Sequence, residues 1–383
     1  MADFDDIRPY NDDEVDQVLD RLLRDREFLD AIVRLKFGAK AMAFAALLRP
    51  LVKFAMRRVR APIHSVADFQ AAIEGHLVRV LDETTSSMSV SGLDKLDSKQ
   101  SYLFICNHRD IAMDPALVNL ALYRAGFGTL RIAIGDNLLT KPFASDLMRL
   151  NKSFIVNRSA SKPREKLKAA KNLSAYIRHS VLEDGENVWI AQREGRAKDG
   201  LDRTNSAIIS MLALSKDKKQ SLSEFIAEAR VVPVSISYEY DPCDADKARE
   251  LYMKSEHGSY EKGEQEDVRS IARGITGYKG HVHVAFGDLL SGQFEDTDAV
   301  TAELDKQILN NYQLQPSNAI AYELLQSQPP AVAVGEAGQR FDQCAFEHEK
   351  KVFKGRLESV PVAQRDIFLQ AYANPVRDRL GEA

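Results

Sequence analysis

Residues 102–124 read YLFICNHRDIAMDPALVNLALYR, an apolar β-like run (Tyr102–Cys106), a polar loop, and a helical segment from Pro115 to Arg124. Strand, loop and helix in that order form the repeating unit of an α/β fold, and the flanking sequence continues the alternation. Thr129–Ile134, Ser153–Val156, Asn187–Ala191, Val231–Tyr238 and His281–Phe286 are further strand candidates; Pro163–Leu182 and Ser206–Ser215 are further helices. The pattern predicts an α/β domain with a mixed, largely parallel sheet flanked by helices. Pro233 has no N–H to give a ladder, so it is expected at an edge or a bulge. Residues 244–270 are charged and periodic, which predicts an inserted helix. The expected division is an N-terminal helical region (1–85), the α/β domain (86–329) and a helical C-terminal tail (330–383).

The 383 residues carry 52 Lys and Arg against 56 Asp and Glu, a net charge of −4, with 44% apolar residues. That apolar fraction, with only 20 Gly and 13 Pro, excludes a mainly disordered or collagen-like chain. The charge balance excludes a globally basic nucleic-acid binder. Cys106, Cys243 and Cys344 are far apart and lack metal-ligand spacing, which argues against a disulfide framework and for a reducing compartment. The acidic start has no apolar signal core, and no apolar run is long enough to span a bilayer, so a cytoplasmic protein is expected.

Charge is uneven near the start. Residues 1–30 hold 11 acids and 4 bases, whereas residues 31–67 hold eight bases (Arg34, Lys36, Lys40, Arg49, Lys53, Arg57, Arg58, Arg60) and no acid. Phe37, Phe44, Leu48 and Phe54 interleave with these bases. One reading is a helix lying on an anionic membrane surface, which would make the protein peripheral on the inner face of the cell membrane. The other is a buried helix with snorkelling cations, or a face packed against residues 1–30. Pro50 is expected to break the helix in two.

Chemistry concentrates in four blocks. Asn107-His108-Arg109-Asp110-Ile111-Ala112-Met113-Asp114-Pro115 follows a strand and precedes a helix, where α/β folds place reactive groups. A histidine with an aspartate nearby suits a general base and the carboxylate that fixes its tautomer. The structural alternative is that Asp114-Pro115 is a helix N-cap with proline at N1. His108-Arg109-Asp110 also spells the protein-kinase triplet, but that motif needs Asn where Pro115 stands. In Trp189–Arg203, four cations (Arg193, Arg196, Lys198, Arg203) follow a strand, with Gly195 and Gly200 between them. Such a loop suits a phosphate, although Glu194, Asp199 and Asp202 offer internal partners. Arg158, after Ser153–Val156, is another anion-binding candidate. The fourth block is Val231-Val232-Pro233-Val234-Ser235.

In order and spacing these blocks resemble the glycerophospholipid acyltransferase family over about residues 95–290, and Trp189–Arg196 is similar to the soluble plant-type glycerol-3-phosphate enzymes. The resemblance implies that His108 is the catalytic base and Asp114 its orienting carboxylate. It implies that Arg158 and Arg196 bind the acceptor's phosphate, with Lys198 beside them, and that Gly195 and Pro233 occupy the glycine and proline of the third and fourth blocks. Two departures stand out. Five residues separate His108 from Asp114 where the family has four, so either the loop bulges or Asp110 takes the role. Glu194-Gly195-Arg196 is one residue shorter than the bacterial third block.

The implied reaction is direct acyl transfer from acyl-CoA or acyl-carrier protein to glycerol-3-phosphate, with no cofactor and no metal. No GxSxG elbow is present to carry a covalent acyl-enzyme. The alternatives are a 1-acylglycerol-3-phosphate acyltransferase, a non-catalytic membrane-binding scaffold and a thioesterase-like hydrolase. No nucleic-acid partner is expected.

Overall fold

The computed structural model describes residues 4–263, 266–342 and 345–382, so Cys344 lies outside the described residues. The strands are β1 (Thr85–Ser91), β2 (Leu103–Cys106), β3 (Leu130–Gly135), β4 (Ser153–Val156), β5 (Asn187–Ala191), β6 (Val231–Tyr238) and β7 (Gly280–Phe286), followed by a two-residue ribbon, β8 (Ala333–Val334) and β9 (Gln339–Arg340). The helices of the first half are α1 (Asp12–Leu22), α2 (Arg26–Phe37), α3 (Ala45–Arg60), α4 (Val66–Thr84), α5 (Met113–Arg124), α6 (Pro142–Leu150) and α7 (Pro163–Leu182). Those of the second half are α8 (Ser206–Leu212), α9 (Leu222–Glu228), α10 (Asp244–His257), α11 (Glu266–Thr276), α12 (Thr297–Asn311), α13 (Pro316–Gln326), α14 (Glu347–Glu358) and α15 (Arg365–Leu380).

The chain divides into two compact units, residues 1–77 with 131–176 and residues 78–130 with 177–383. In the larger unit the strand order is β1-β7-β6-β2-β5. Within this sheet order β6 and β7 pair antiparallel, whereas β1/β7, β6/β2 and β2/β5 are parallel. In the smaller unit β3 and β4 pair in parallel from Ile132↔Ser153. The α/β class with a mixed, mostly parallel sheet flanked by helices is therefore as the sequence predicts. Every residue of β2 and β6 is buried, as expected for strands covered on both faces.

Several local features differ from the sequence expectation. Pro233 is not at an edge, since β6 lies between β7 and β2. Its missing N–H falls at the end of the β6/β7 register, which begins at Val234↔Phe286, so a single bond is lost there while the Pro233 carbonyl accepts the Gly287 N–H at 2.8 Å. Helix α3 runs through Pro50 unbroken; so close to the helix start, the proline removes a single i→i−4 bond. The inserted segment is two helices, with α10 stopped by Gly258 at φ +75. The segment beyond residue 330 carries the helices α14 and α15. Phe353, Phe368 and Tyr372 bury against Tyr312, Ala319 and Tyr322 in one core cluster of the larger unit. The smaller unit has its own core, including Val15, Val18, Leu22, Phe28 and Leu150.

Candidate active site

Parallel strands open their reactive loops at the C-terminal edge. Here β2 sits between β6 and β5, with Cys106 opposite both Val234 and Ala191. The loop after β2, the loop after β5 and the last residues of β6 therefore emerge side by side. Asn107, fully buried, fastens them together. Its Oδ1 accepts the Ile236 N–H at 2.7 Å, and its Nδ2 donates to the Ile236 carbonyl at 3.0 Å and to Asp202 Oδ2 at 2.9 Å. The Gln192 N–H reaches the Cys106 carbonyl at 2.8 Å, and the Ala197 N–H reaches the His108 carbonyl at 2.7 Å.

The His108 ring meets Asp114 directly, Nδ1 to Oδ2 at 2.9 Å. The longer loop bulges, and two backbone groups hold the bulge on the same oxygen: the Arg109 N–H at 2.6 Å and the Asp110 N–H at 2.9 Å. Asp114 Oδ1 accepts the Tyr238 hydroxyl at 2.7 Å. A carboxylate can only accept here, so Nδ1 carries the hydrogen, and in the neutral ring Nε2 then presents its lone pair. Trp189 stands edge-on to the imidazole, with ring centroids 5.9 Å apart. Burial, reinforced by the Asp114 charge, pushes the Tyr238 phenol well above its ordinary range.

The N-cap alternative for Asp114 does not hold. Helix α5 starts at Met113 with Ala112 in the cap position, and Asp114 lies inside the first turn. It is Asp110 that serves the helix start, its Oδ1 accepting the Ala112 and Met113 N–H groups at 3.0 and 2.9 Å. Burial and then the charge of Asp114 raise the Asp110 carboxyl pKa.

Arg109 is turned inward, its guanidinium donating to Asp202 Oδ2 at 2.6 Å and to the Gly200 carbonyl at 3.1 Å. Burial opposes its charge, but Asp202, Tyr312 and Asp241 together outweigh that and raise its pKa. Arg109 also lines a cavity together with Lys198, Tyr238, Asp241, Lys247, Tyr312 and apolar neighbours such as Phe368. Lys247 bridges Asp241 and the Arg109 carbonyl.

The sequence-predicted cations are placed differently from one another. Arg196 is half-buried, and its Nη1 atom is buried without a hydrogen-bond partner. Gly195 makes the turn before it, at φ +74. Lys198 is bonded to Glu250 of α10; burial lowers its pKa despite that carboxylate. Arg158 belongs to the smaller unit, exposed on the loop after β4, where its backbone N–H is held by Asp136 Oδ1 at 3.1 Å. Among the described residues, no group of three or more His, Cys, Asp or Glu side chains could hold a metal ion.

An acyltransferase family model matches residues 87–237, a span that contains His108, Asp114, Arg158, Arg196 and Pro233. Residues 87–237 carry the acyltransferase domain that this model describes. The likeness drawn from the four sequence blocks is thereby borne out at the level of that family. A solved structure, the 1-acyl-sn-glycerophosphate (LPA) acyltransferase PlsC from Thermotoga maritima, is 14% identical, covers 77% of this chain and 94% of its own, and has a TM-score of 0.36. No curated protein matches the chain.

Sequence reasoning missed Tyr238, the second support of Asp114, and the brace of Asn107, Arg109 and Asp202. The signal available was topological. In a parallel β6/β2 pair, the last residues of β6 lie beside the residues that follow β2.

Proposed function

We propose that the acyltransferase domain transfers a fatty acyl group from acyl-CoA or acyl-carrier protein to a hydroxyl of glycerol 3-phosphate, a step of phospholipid synthesis. The observation that carries this reading is the 2.9 Å contact of His108 Nδ1 with a fully buried Asp114. His108 Nε2 takes the proton of the acceptor hydroxyl as its oxygen bonds to the thioester carbonyl carbon. The tetrahedral intermediate collapses with cleavage of the C–S bond, and the imidazolium returns the proton to the leaving thiolate. Asp114 holds the ring and stabilises the transient imidazolium.

The acceptor phosphate is assigned to Arg196, whose unpartnered Nη1 suits a charge-assisted hydrogen bond. Gly195 gives the turn that presents it. Lys198 is a second cation for the phosphate once it leaves Glu250, and Arg158 is the third candidate from the sequence blocks.

Attachment to an anionic membrane belongs to the same proposal. On α3, Leu47, Leu51 and Phe54 recur at helical spacing and are 72%, 64% and 57% exposed. Arg57 and Arg58 share the exposed surface, with Arg58 4.5 Å from the Phe54 ring centroid. Arg49 and Arg60 pair instead with Asp30 and with Asp16 and Asp20, so the acidic start takes up only part of the basic stretch. No helix among the described residues is long and apolar enough to cross a membrane.

This exposed apolar face also favours a second reading, 1-acylglycerol-3-phosphate as acceptor, because a lysolipid is met at a membrane surface. Labelled acyl-CoA with each acceptor in turn tests the choice. Clear preference for glycerol 3-phosphate supports the first reading, preference for the lysolipid the second, and transfer to acceptors without phosphate would overturn the Arg196 assignment.

A further inference from the structure

The loop after β5, which carries Arg196, is gripped from two sides. On the site side, the Ala197 N–H bonds the His108 carbonyl at 2.7 Å, and Arg109 bonds the Gly200 carbonyl and Asp202. On the other side stands α15, outside the segment that matches the acyltransferase family. Asn374 Nδ2 donates to the Asp199 carbonyl at 2.7 Å, and Asp378 pairs with Arg203. Between these two contacts Gly200, at φ +79, touches α15 so closely that a Cβ there would lie 1.9 Å from the Ala371 carbonyl oxygen.

The sequence of α15 explains that approach. Pro375 lies inside the helix, four residues after Ala371. With no N–H at Pro375, the Ala371 carbonyl has no i+4 partner, and this is the carbonyl against which Gly200 packs. Helix α15 is itself anchored: the Tyr372 hydroxyl donates to Asp244 at 2.8 Å and accepts from the Asp241 N–H at 2.9 Å, and the Tyr372 carbonyl accepts Asn318 Nδ2 at 2.9 Å.

We propose that α15 is a positioning element of the acceptor site, holding residues 193–203 so that Arg196 keeps its place beside the His108 loop. The proposal rests on the acceptor role given to Arg196 above. Asn374 and Asp378 are positioning residues, since they act through the loop.

The test compares full-length wild type with Asn374→Asp, which replaces the donor by a carboxylate facing a carbonyl, and with Asp378→Asn. Two readouts are needed: hydrogen exchange of residues 193–203, and binding of sn-glycerol 3-phosphate followed by the fluorescence of Trp189, the chain's single tryptophan. Loss of one such bond should speed loop exchange about five- to tenfold in Asn374→Asp, with β2 and β5 unchanged. The dissociation constant should rise by a similar factor. In an Arg196→Ala background the same substitution should add less than about twofold. Unchanged loop exchange in both variants, or an equal binding loss with and without Arg196, would overturn the proposal. If wild type binds no glycerol 3-phosphate, the acceptor assignment falls, and the exchange result alone decides whether α15 holds the loop.

Discussion

Asp114→Asn separates the charge of this carboxylate from its geometry. Asp114 Oδ2 receives three donors, His108 Nδ1 and the backbone N–H groups of Arg109 and Asp110, while Oδ1 receives the Tyr238 hydroxyl. Asparagine fits the same space. Its one carbonyl oxygen must take the three-donor corner, because two of those donors are backbone and cannot turn away. Its NH₂ then faces Tyr238, whose hydroxyl can rotate to accept. The His108 tautomer therefore survives, and only the negative charge opposite the imidazolium is lost. The difference between charged and neutral hydrogen bonds sets a lower bound of about 1 kcal/mol. Charge attraction over roughly 3 Å at an effective dielectric of about 20 sets an upper bound of about 5 kcal/mol. The expected fall in kcat is thus between about fivefold and a few thousandfold. Tyr238→Phe, which removes one neutral donor, should cost about five- to thirtyfold. Asp110→Asn should cost less than about threefold, because its carbonyl oxygen still serves the Ala112 and Met113 N–H groups. Release of the CoA thiol under saturating substrates, with melting curves as control, measures all three. An Asp114→Asn enzyme within threefold of wild type, or an Asp110→Asn enzyme worse than it, would refute the assignment of the carboxylate.

Arg196→Ala should raise the acceptor KM or cut kcat/KM at least about tenfold while leaving the acyl-donor KM unchanged; an effect on the donor alone would move Arg196 out of the phosphate site. Liposome sedimentation should show salt-sensitive binding to anionic vesicles by wild type and loss of binding by Arg57→Glu/Arg58→Glu/Phe54→Ser, each base contributing on the order of 1 kcal/mol. Equal binding by both proteins would remove the membrane role from α3. Burial, with the nearby His281, pushes the His283 imidazole from 6.5 down to about 4. Between those values the unfolded chain holds a proton that the folded chain does not, so stability is full above about pH 6.5 and falls as the pH drops toward 4, by at most about 3 kcal/mol. His283→Gln should flatten that slope in urea unfolding at pH 7 and pH 4.5; an unchanged slope would assign it to other groups.

The parts of the fold legible in the sequence were those written in apolar runs. LFIC in β2, NVWIA in β5 and VVPVSISY in β6 are buried throughout or nearly so, and such runs stand out from their surroundings. Strand β1, TSSMSVS, carries four serines and is only partly buried, so no apolar signal marked it. The same physics hid the role of the tail. Pro375 and Asn374 look like helix-breaking residues in a charged segment, and their meaning appears only where Gly200 and Asp199 pack against them. At the site, the His108/Asp114 spacing was legible as a base and a carboxylate, but the choice between Asp114 and Asp110 depended on where two backbone N–H groups point, which residue identity does not encode. Lys198 looked available for a phosphate because Glu250 is 52 residues away in sequence.

Transfer of a radiolabelled acyl group from acyl-CoA to glycerol 3-phosphate, by wild type and by His108→Ala side by side, decides whether His108 is the base of an acyl transfer to this acceptor. The expected result is labelled acylglycerol phosphate from wild type and at least about a hundredfold less from a His108→Ala protein with an unchanged melting curve. Equal transfer by the folded His108→Ala protein, or release of free fatty acid alone by wild type, would contradict it.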